Sequence, residues 1–158
     1  MTSRTICGAA GFALLLALSP TQSDAQATAR PFAPMAGNWS GEGTVIMSNG
    51  GQERMRCRAN YAVGQGGEQL QLDIRCASDS FNFELASNVA NQGGKISGEW
   101  SEATRNAGGT VAGRTNGRQI QAFASGANFS ANLSLTTEGN RQSIAIQPQG
   151  TDVERVLR

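Results

Sequence analysis

The chain has 158 residues, with 13 lysines and arginines, 12 aspartates and glutamates, and no histidine. A net charge of +1 argues against nucleic acid as the main partner, because phosphate binding requires a basic excess. The absence of histidine excludes a Ser-His-Asp triad, an imidazole metal site and a histidine-ligated haem. We therefore expect no metal and no cofactor, and an enzyme is the least favoured class of function.

Residues 1–27 have the pattern of a secretory signal peptide. Arg4 supplies an early positive charge, Ile6 to Leu18 is apolar, and Ala25-Gln26-Ala27 matches the small-x-small cleavage pattern. Ser23-Asp24-Ala25 is the alternative cleavage site. The apolar run is shorter than the ~20 residues that span a bilayer. This pattern predicts export to the periplasm or the extracellular space, with no transmembrane anchor in the mature chain.

Residues 28–36 contain Pro31 and Pro34 and predict an extended lead-in. We expect Phe32 to pack against one end of the domain that follows. The length of residues 37–158 favours a single domain with one core.

Turn signals rich in glycine and asparagine recur along residues 37–158 at the spacing of an all-β domain. The segments between them predict strands at Trp39–Met47, Arg54–Val63, Gln69–Ala77, Phe81–Val89, Lys95–Glu102, Thr110–Arg114, Arg118–Ala124, Phe129–Thr137, Gln142–Gln147 and Asp152–Leu157. Short connections favour an antiparallel up-and-down β-barrel of eight to ten strands, because closure removes exposed edges. A β-sandwich of the same strands is the alternative.

The second and third predicted strands carry the most specific pattern. When they are folded back about Gly66-Gly67, Cys57 lies opposite Cys76, and apolar residues occupy the rest of that face. This register predicts a four-residue loop, Gln65 to Glu68, closed by Gly64 and Gln69. A tight two-residue turn would instead place the cysteines at a hydrogen-bonded pair, where the strands are further apart.

Cys57 and Cys76 are the two cysteines of the predicted mature chain, because Cys7 lies in the signal segment. Facing positions of antiparallel strands lie within disulfide reach. A metal site would need further soft ligands, and the mature chain has no other cysteine and no histidine. We therefore predict a structural disulfide, which is typical of exported proteins.

Two sets of residues are candidates for binding. Arg54, Arg56 and Arg58 alternate on one strand, Arg75 joins them from the next, and all four should point away from the cysteine face. Such a cationic stripe could bind an acidic glycan, a lipid headgroup or protein carboxylates, or it could be an ordinary solvated face. Aromatic residues could line a ligand cavity in a barrel mouth or form the core. The main candidates are Trp39, Tyr61, Phe83 and Trp100, with Phe81, Phe123 and Phe129 as further members.

Gly37-Asn38-Trp39 is similar to the G-x-W signature that opens the first strand of lipocalins and related calycin barrels. The resemblance implies a β-barrel whose first tryptophan closes one end, often under an arginine from a late strand, a role that Arg155 or Arg158 could fill. A second G-x-W occurs at Gly98-Glu99-Trp100. This repetition resembles an internal pseudo-repeat, or the motif of an avidin-like barrel. The whole chain also resembles small exported bacterial proteins, which implies location and architecture rather than a reaction.

These observations lead to two functional hypotheses. The first is an exported, non-enzymatic, calycin-like barrel that holds a small apolar ligand. The alternative is a protein–protein interaction or inhibitor module that uses the barrel exterior and the arginine stripe. An enzyme with a carboxylate-based site is disfavoured, because Glu99 and Glu102 should point to opposite faces of one strand.

Overall fold

The structure is a computed structural model that describes residues 30–149 in full and residues 153–157 as backbone. Ten strands account for most of it: β1 (Gly37–Met47), β2 (Gln52–Gly64), β3 (Gln69–Ala77), β4 (Asn82–Gln92), β5 (Lys95–Glu102), β6 (Ala107–Thr115), β7 (Gln119–Gly126), β8 (Ser130–Glu138), β9 (Arg141–Gln149) and β10 (Val153–Leu157). All ten predicted strands are present, and β3 and β5 have the predicted bounds. The predicted signal segment lies outside the described residues.

Each strand from β1 to β9 pairs antiparallel with the next one along the chain, which gives one curled sheet. The short β10 joins the two edges of this half-barrel: it pairs with β1 from Thr44 to Met47, and with β9 through Ala145 and Ile146. The described strands form a single sheet, so the prediction of an up-and-down barrel is confirmed over the sandwich alternative.

The β2–β3 hairpin has the predicted register. Cys57 faces Cys76, and the strand pairing ends at Gly64 and Gln69, with the four-residue loop between them. The two cysteines form a disulfide and their Cα atoms are 4.1 Å apart, the spacing of a close, non-hydrogen-bonded pair. Positive φ angles at Gln65, Gly66 and Gly67 turn the loop back, which explains why two glycines occur here.

Two clusters of buried side chains pack inside the barrel, one toward each end. One end carries the β2–β3, β4–β5, β6–β7 and β8–β9 loops, and we call it the plugged end; the other is the far end. The plugged end contains the larger core cluster, composed of Phe32, Met35, Ala59, Tyr61, Leu70, Val89 and Ile96. Val45, Met55 and Cys76 form a second cluster toward the far end.

The lead-in closes the plugged end, as predicted for Phe32. Phe32 and Met35 are 0% and 1% exposed, and the Phe32 amide donates to the carbonyl of Gly67 at 3.2 Å. The lead-in is not extended throughout, because Ala33–Met35 forms a 3-10 turn with a proline in its first positions. Burying two large apolar side chains makes this segment part of the core.

Three inward-facing glycines allow neighbouring strands to approach closely on the curled side of the sheet. A Cβ at Gly98 would lie 2.0 Å from the Asn88 carbonyl oxygen, and one at Gly109 would lie 1.8 Å from that of Ser125. A Cβ at Gly113 would lie 2.3 Å from the carbonyl oxygen of Gln121. Backbone atoms of a paired strand cannot move away to relieve such clashes, so β5 and β6 require glycine at these positions, where the sheet bends.

Candidate functional site

The outer faces of β1 to β5 form a shallow trough of about 760 Å³, which we call the arginine trough. Its charged lining residues are Arg58, Asp73, Arg75 and Glu84. These side chains point outward because they alternate with the core residues of β2, β3 and β4. The trough is therefore a consequence of the same register that places the disulfide inside.

All four predicted stripe arginines are exposed on the outer face. Arg54 pairs with Glu42 at 2.6 Å, and Arg56 lies 3.6 Å from the same carboxylate. Because these groups are well exposed, the pairs contribute little to stability. The predicted outward orientation of the stripe is confirmed.

Arg58 and Arg75 face each other across β2 and β3, as the hairpin register predicts. Arg75 is balanced by Glu84 at 3.8 Å, whereas Arg58 makes no ion pair with any carboxylate of the described residues. Like charges at facing positions destabilise a sheet slightly. Arg58 is thus a guanidinium held next to another cation and available to an incoming anion.

Polar amides extend the trough beyond the charges. The Asn60 amide donates to the side-chain oxygen of Asn38 at 2.8 Å, and both residues line the trough beside Asp73. Asp73 and Glu84 belong to different strands, β3 and β4, and no sequence motif links them. The structure places both in this trough, since Asp73 faces Ala86 and Arg75 faces Glu84 across β3 and β4. The β3–β4 register, if predicted from the sequence, would have placed Asp73 and Glu84 on the same surface.

At the plugged end, two of the predicted ligand-lining aromatics make contacts within the protein. The Trp39 indole donates to the carbonyl of Met35 at 2.7 Å, and the Tyr61 hydroxyl donates to the side-chain oxygen of Gln142 at 2.9 Å. Their rings lie 6.4 Å apart, and Tyr61 is 3% exposed. The Arg155 and Arg158 side chains lie outside the described residues, so their predicted position over Trp39 is not described.

Toward the far end, Trp100 and Phe83 also pack against protein. Trp100 contacts Phe129 edge to face at 5.5 Å between ring centroids, and its indole donates to the carbonyl of Ser125. Phe83 packs against the cluster of Val45, Met55 and Cys76. The four aromatics are therefore split between the two ends, and a ligand-binding role for them stays a prediction.

Phe123, which was expected in a cavity or in the core, lies on the outer face instead. Phe123 points outward and is 40% exposed, because Ala122 and Ala124 occupy the inward positions of β7. It lines a second, smaller hollow of about 420 Å³ on the outer faces of β6 to β9. This hollow and the arginine trough both lie on the outside of the barrel.

Glu102 is a buried carboxylate that orders the β5–β6 loop. One of its oxygens accepts from the Glu84 amide and from the amide and hydroxyl of Thr104, and the other accepts from the Arg105 amide. Burial raises the pKa of this group, but the hydrogen bonds outweigh burial, so the pKa is lowered from 4.5. Glu102 therefore links the β5–β6 loop to the start of β4. Glu99 points outward, so the predicted separation of the two glutamates is confirmed.

A second carboxylate ties the start of β2 to the β3–β4 loop at the far end. Glu53 accepts from the Ser78 hydroxyl at 2.7 Å and from the Ser80 amide at 3.1 Å. Hydrogen bonds from Ser80 and Ser78 lower the pKa of Glu53. This contact holds the β3–β4 loop against β2, and none of its residues lines the arginine trough.

Comparison with protein-family models, with curated proteins and with solved structures gives no match for this chain. Within the described residues, no helix has the length and apolar character needed to cross a membrane. The same residues contain no group of three or more Cys, Asp or Glu side chains placed to hold a metal ion. A function for this chain is therefore inferred from the two outer hollows and from the packing of the aromatic side chains inside the barrel.

Proposed function

We propose that this chain is an exported, non-enzymatic binding module that engages a protein partner through the arginine trough. The observation that carries the proposal is the contrast between the two sides of the barrel wall. Inside, the aromatic positions that could have lined a ligand cavity contact other protein groups. Outside, the trough presents Arg58 and Arg75 at facing positions, and Arg58 has no carboxylate partner in the described residues.

The charges of the trough favour a protein over a polyanion. Arg58 and Arg75 share the trough with Asp73 and Glu84, so both signs of charge are present on one surface. A nucleic acid or a sulfated glycan would need a basic excess, whereas a protein surface presents both signs and can complement such a mixture. The partner patch should therefore contain a carboxylate placed to meet Arg58, with further polar groups around it.

Two features support export and a calycin-like architecture as parts of the same proposal. The Cys57–Cys76 disulfide suits an oxidising compartment, which agrees with the signal-like residues 1–27. Trp39 lies near the start of β1, at the plugged end, and its indole donates to the carbonyl of Met35 in the lead-in. The calycin resemblance implies such a position, at one end of the barrel, for the first tryptophan. The interior of this barrel would serve as a scaffold for the outer face.

Charge reversal tests the proposal. We expect the Arg56→Glu/Arg58→Glu variant to lose capture of its partner from the extracellular or envelope fraction of the source cells, since both changes place a negative charge in the stripe. The matched control is Arg118→Glu/Arg141→Glu, which makes the same change of net charge at two exposed positions, one on the β6–β7 connection and one at the start of β9. Circular dichroism should show that both variants keep the wild-type fold.

The position of the partner can be fixed independently. A photo-crosslinking residue at Ala77, which is exposed and faces Arg56 across the hairpin, should form an adduct with the partner. The same residue at the exposed Thr110 on β6 should not. Equal capture by both charge-reversed variants, or crosslinking from position 110 alone, would contradict the proposal.

A further inference from the structure

We infer that the outer face of β6 to β9 is a second binding site, and that it takes a neutral oligosaccharide. This face, which we call the Phe123 face, is made by two rows of side chains that run across the four strands. The first row is Ala112, Phe123, Asn132 and Gln147, and the second is Arg114, Gln121, Ser134 and Ala145. The site is independent of the arginine trough, because β7 and β2 lie on opposite sides of the barrel.

Phe123 is the exposed large apolar side chain of the described residues. Its ring stands between Ala112 and Asn132, and the small alanine leaves space beside it. An isolated exposed ring is too small a patch to hold an apolar protein or a lipid surface. It is large enough to hold one face of a sugar ring, whose C–H groups carry partial positive charge and meet the negative face of an aromatic ring.

The amides around Phe123 supply the polar part of the site. The side chains of Gln121, Asn132 and Gln147 are exposed, and none of their amide groups makes a hydrogen bond with another described residue. Each amide both donates and accepts hydrogen bonds, which matches hydroxyl groups that also do both. In the arginine trough, by contrast, the Asn60 amide is already bonded to Asn38. The Phe123 face therefore has uncommitted donors and acceptors grouped around an aromatic ring.

The charge of the face selects among polar ligands. Among the described residues that line this hollow, Arg114 is the single charged one, and none is acidic. A single cation does not supply the excess that a nucleic acid or a polyanionic glycan requires. Four strands at a spacing of about 4.8 Å give a surface about 14 Å long, which suits a short chain of sugar units better than a single small molecule. A neutral oligosaccharide therefore fits both the charge and the shape of the hollow.

The test is a titration of the isotope-labelled, oxidised protein, followed by NMR, with chitotriose, cellotriose, maltotriose and mannotriose as probes. We expect at least one of these to give saturable shifts at the side-chain amides of Gln121, Asn132 and Gln147. Phe123→Ala should weaken that binding at least tenfold. Phe123→Trp should retain or tighten it, because a larger ring covers more of the sugar face. Arg58→Glu, in the arginine trough, should leave the affinity unchanged.

Three results would overturn the inference. The first is that none of the four probes gives saturable shifts at millimolar concentration. The second is that shifts occur away from the Phe123 face or are unaffected by Phe123→Ala. The third is a dimer in sedimentation velocity that Phe123→Ala dissociates, which would make this face an interface between two copies of the chain. None of these results depends on whether the arginine trough binds a partner.

Discussion

Cys57 and Cys76 face each other on the inner side of the barrel wall, and their immediate neighbours Arg58 and Arg75 face each other on the outer side. One register of two strands therefore positions both the covalent link and the charges of the arginine trough. A slip of this hairpin by one residue would exchange its two faces and would move the cysteines outward and the arginines inward.

The first prediction concerns the disulfide. We expect the Cys57→Ala/Cys76→Ala variant to lose about 3 kcal/mol of unfolding free energy, since the link closes a loop with a sequence separation of 19 residues. Urea unfolding at neutral pH measures this loss. Reductant should destabilise the wild type by a similar amount and leave the double variant unchanged. Equal stability of the oxidised wild type and the variant would contradict the assignment.

The second prediction concerns the lead-in that closes the plugged end. Phe32→Ala should cost about 3–5 kcal/mol, because it removes a fully buried aromatic ring from the larger core cluster. Phe123→Ala is the matched control: the same change at an exposed outer position should cost less than about 1 kcal/mol. Chemical denaturation of both variants gives the comparison. Similar losses at the two positions would show that the lead-in does not close the barrel.

The third prediction concerns the bend of the sheet. Gly98→Ala should destabilise by about 1–3 kcal/mol or more, because its Cβ would collide with the backbone of β4 at 2.0 Å. Gly64→Ala is the control, since its φ of −119° is ordinary and the nearest atom to its Cβ is 3.9 Å away. That change should be neutral or slightly stabilising. Thermal unfolding measures both, and a tolerated Gly98→Ala would show that β4 and β5 are further apart than described.

The fourth prediction concerns the pH dependence of Glu102. Its pKa in the folded protein is lowered from 4.5, so its contribution to stability is present above that value and is lost as the pH falls through the folded pKa. Glu102→Gln should therefore lower the unfolding temperature at pH 7, and the difference from the wild type should shrink as the pH falls below about 4.5. Glu99→Gln, an exposed change on the same strand, should have little effect at any pH. A Glu102→Gln deficit that stays constant down to pH 3 would contradict the role of the ionised form.

The strands and their order could be predicted from the sequence because local patterns within and between neighbouring strands specify them. The alternation of apolar and polar residues, the Gly- and Asn-rich turns and the facing cysteines agree on one set of strands, and agreement between levels is what makes a sequence specify a structure. The Arg58–Arg75 pairing followed from the same register. Strand ends were less accurate, as at β6, where the prediction began at Thr110 and the strand begins at Ala107.

The sites were harder to predict, because they depend on relations that no single strand contains. Asp73 and Glu84 meet in the trough only through the β3–β4 register and the curvature of the sheet. Glu102 is held by backbone amides of a loop, which a sequence pattern does not display. Phe123 was grouped with the interior aromatics because its ring is apolar, but the alternation of Ile120, Ala122 and Ala124 already assigned the inner face of β7 to smaller residues.

Native mass spectrometry of the oxidised protein, purified from its source without detergent, tests the central claim most directly. That claim is that the barrel interior is occupied by the protein's own side chains, so that binding takes place on the outer face. The expected result is the mass of the disulfide-linked chain with no small molecule attached. A stoichiometric apolar molecule that is retained on purification, and is lost in a Tyr61→Ala or Phe83→Ala variant that still folds, would contradict the account.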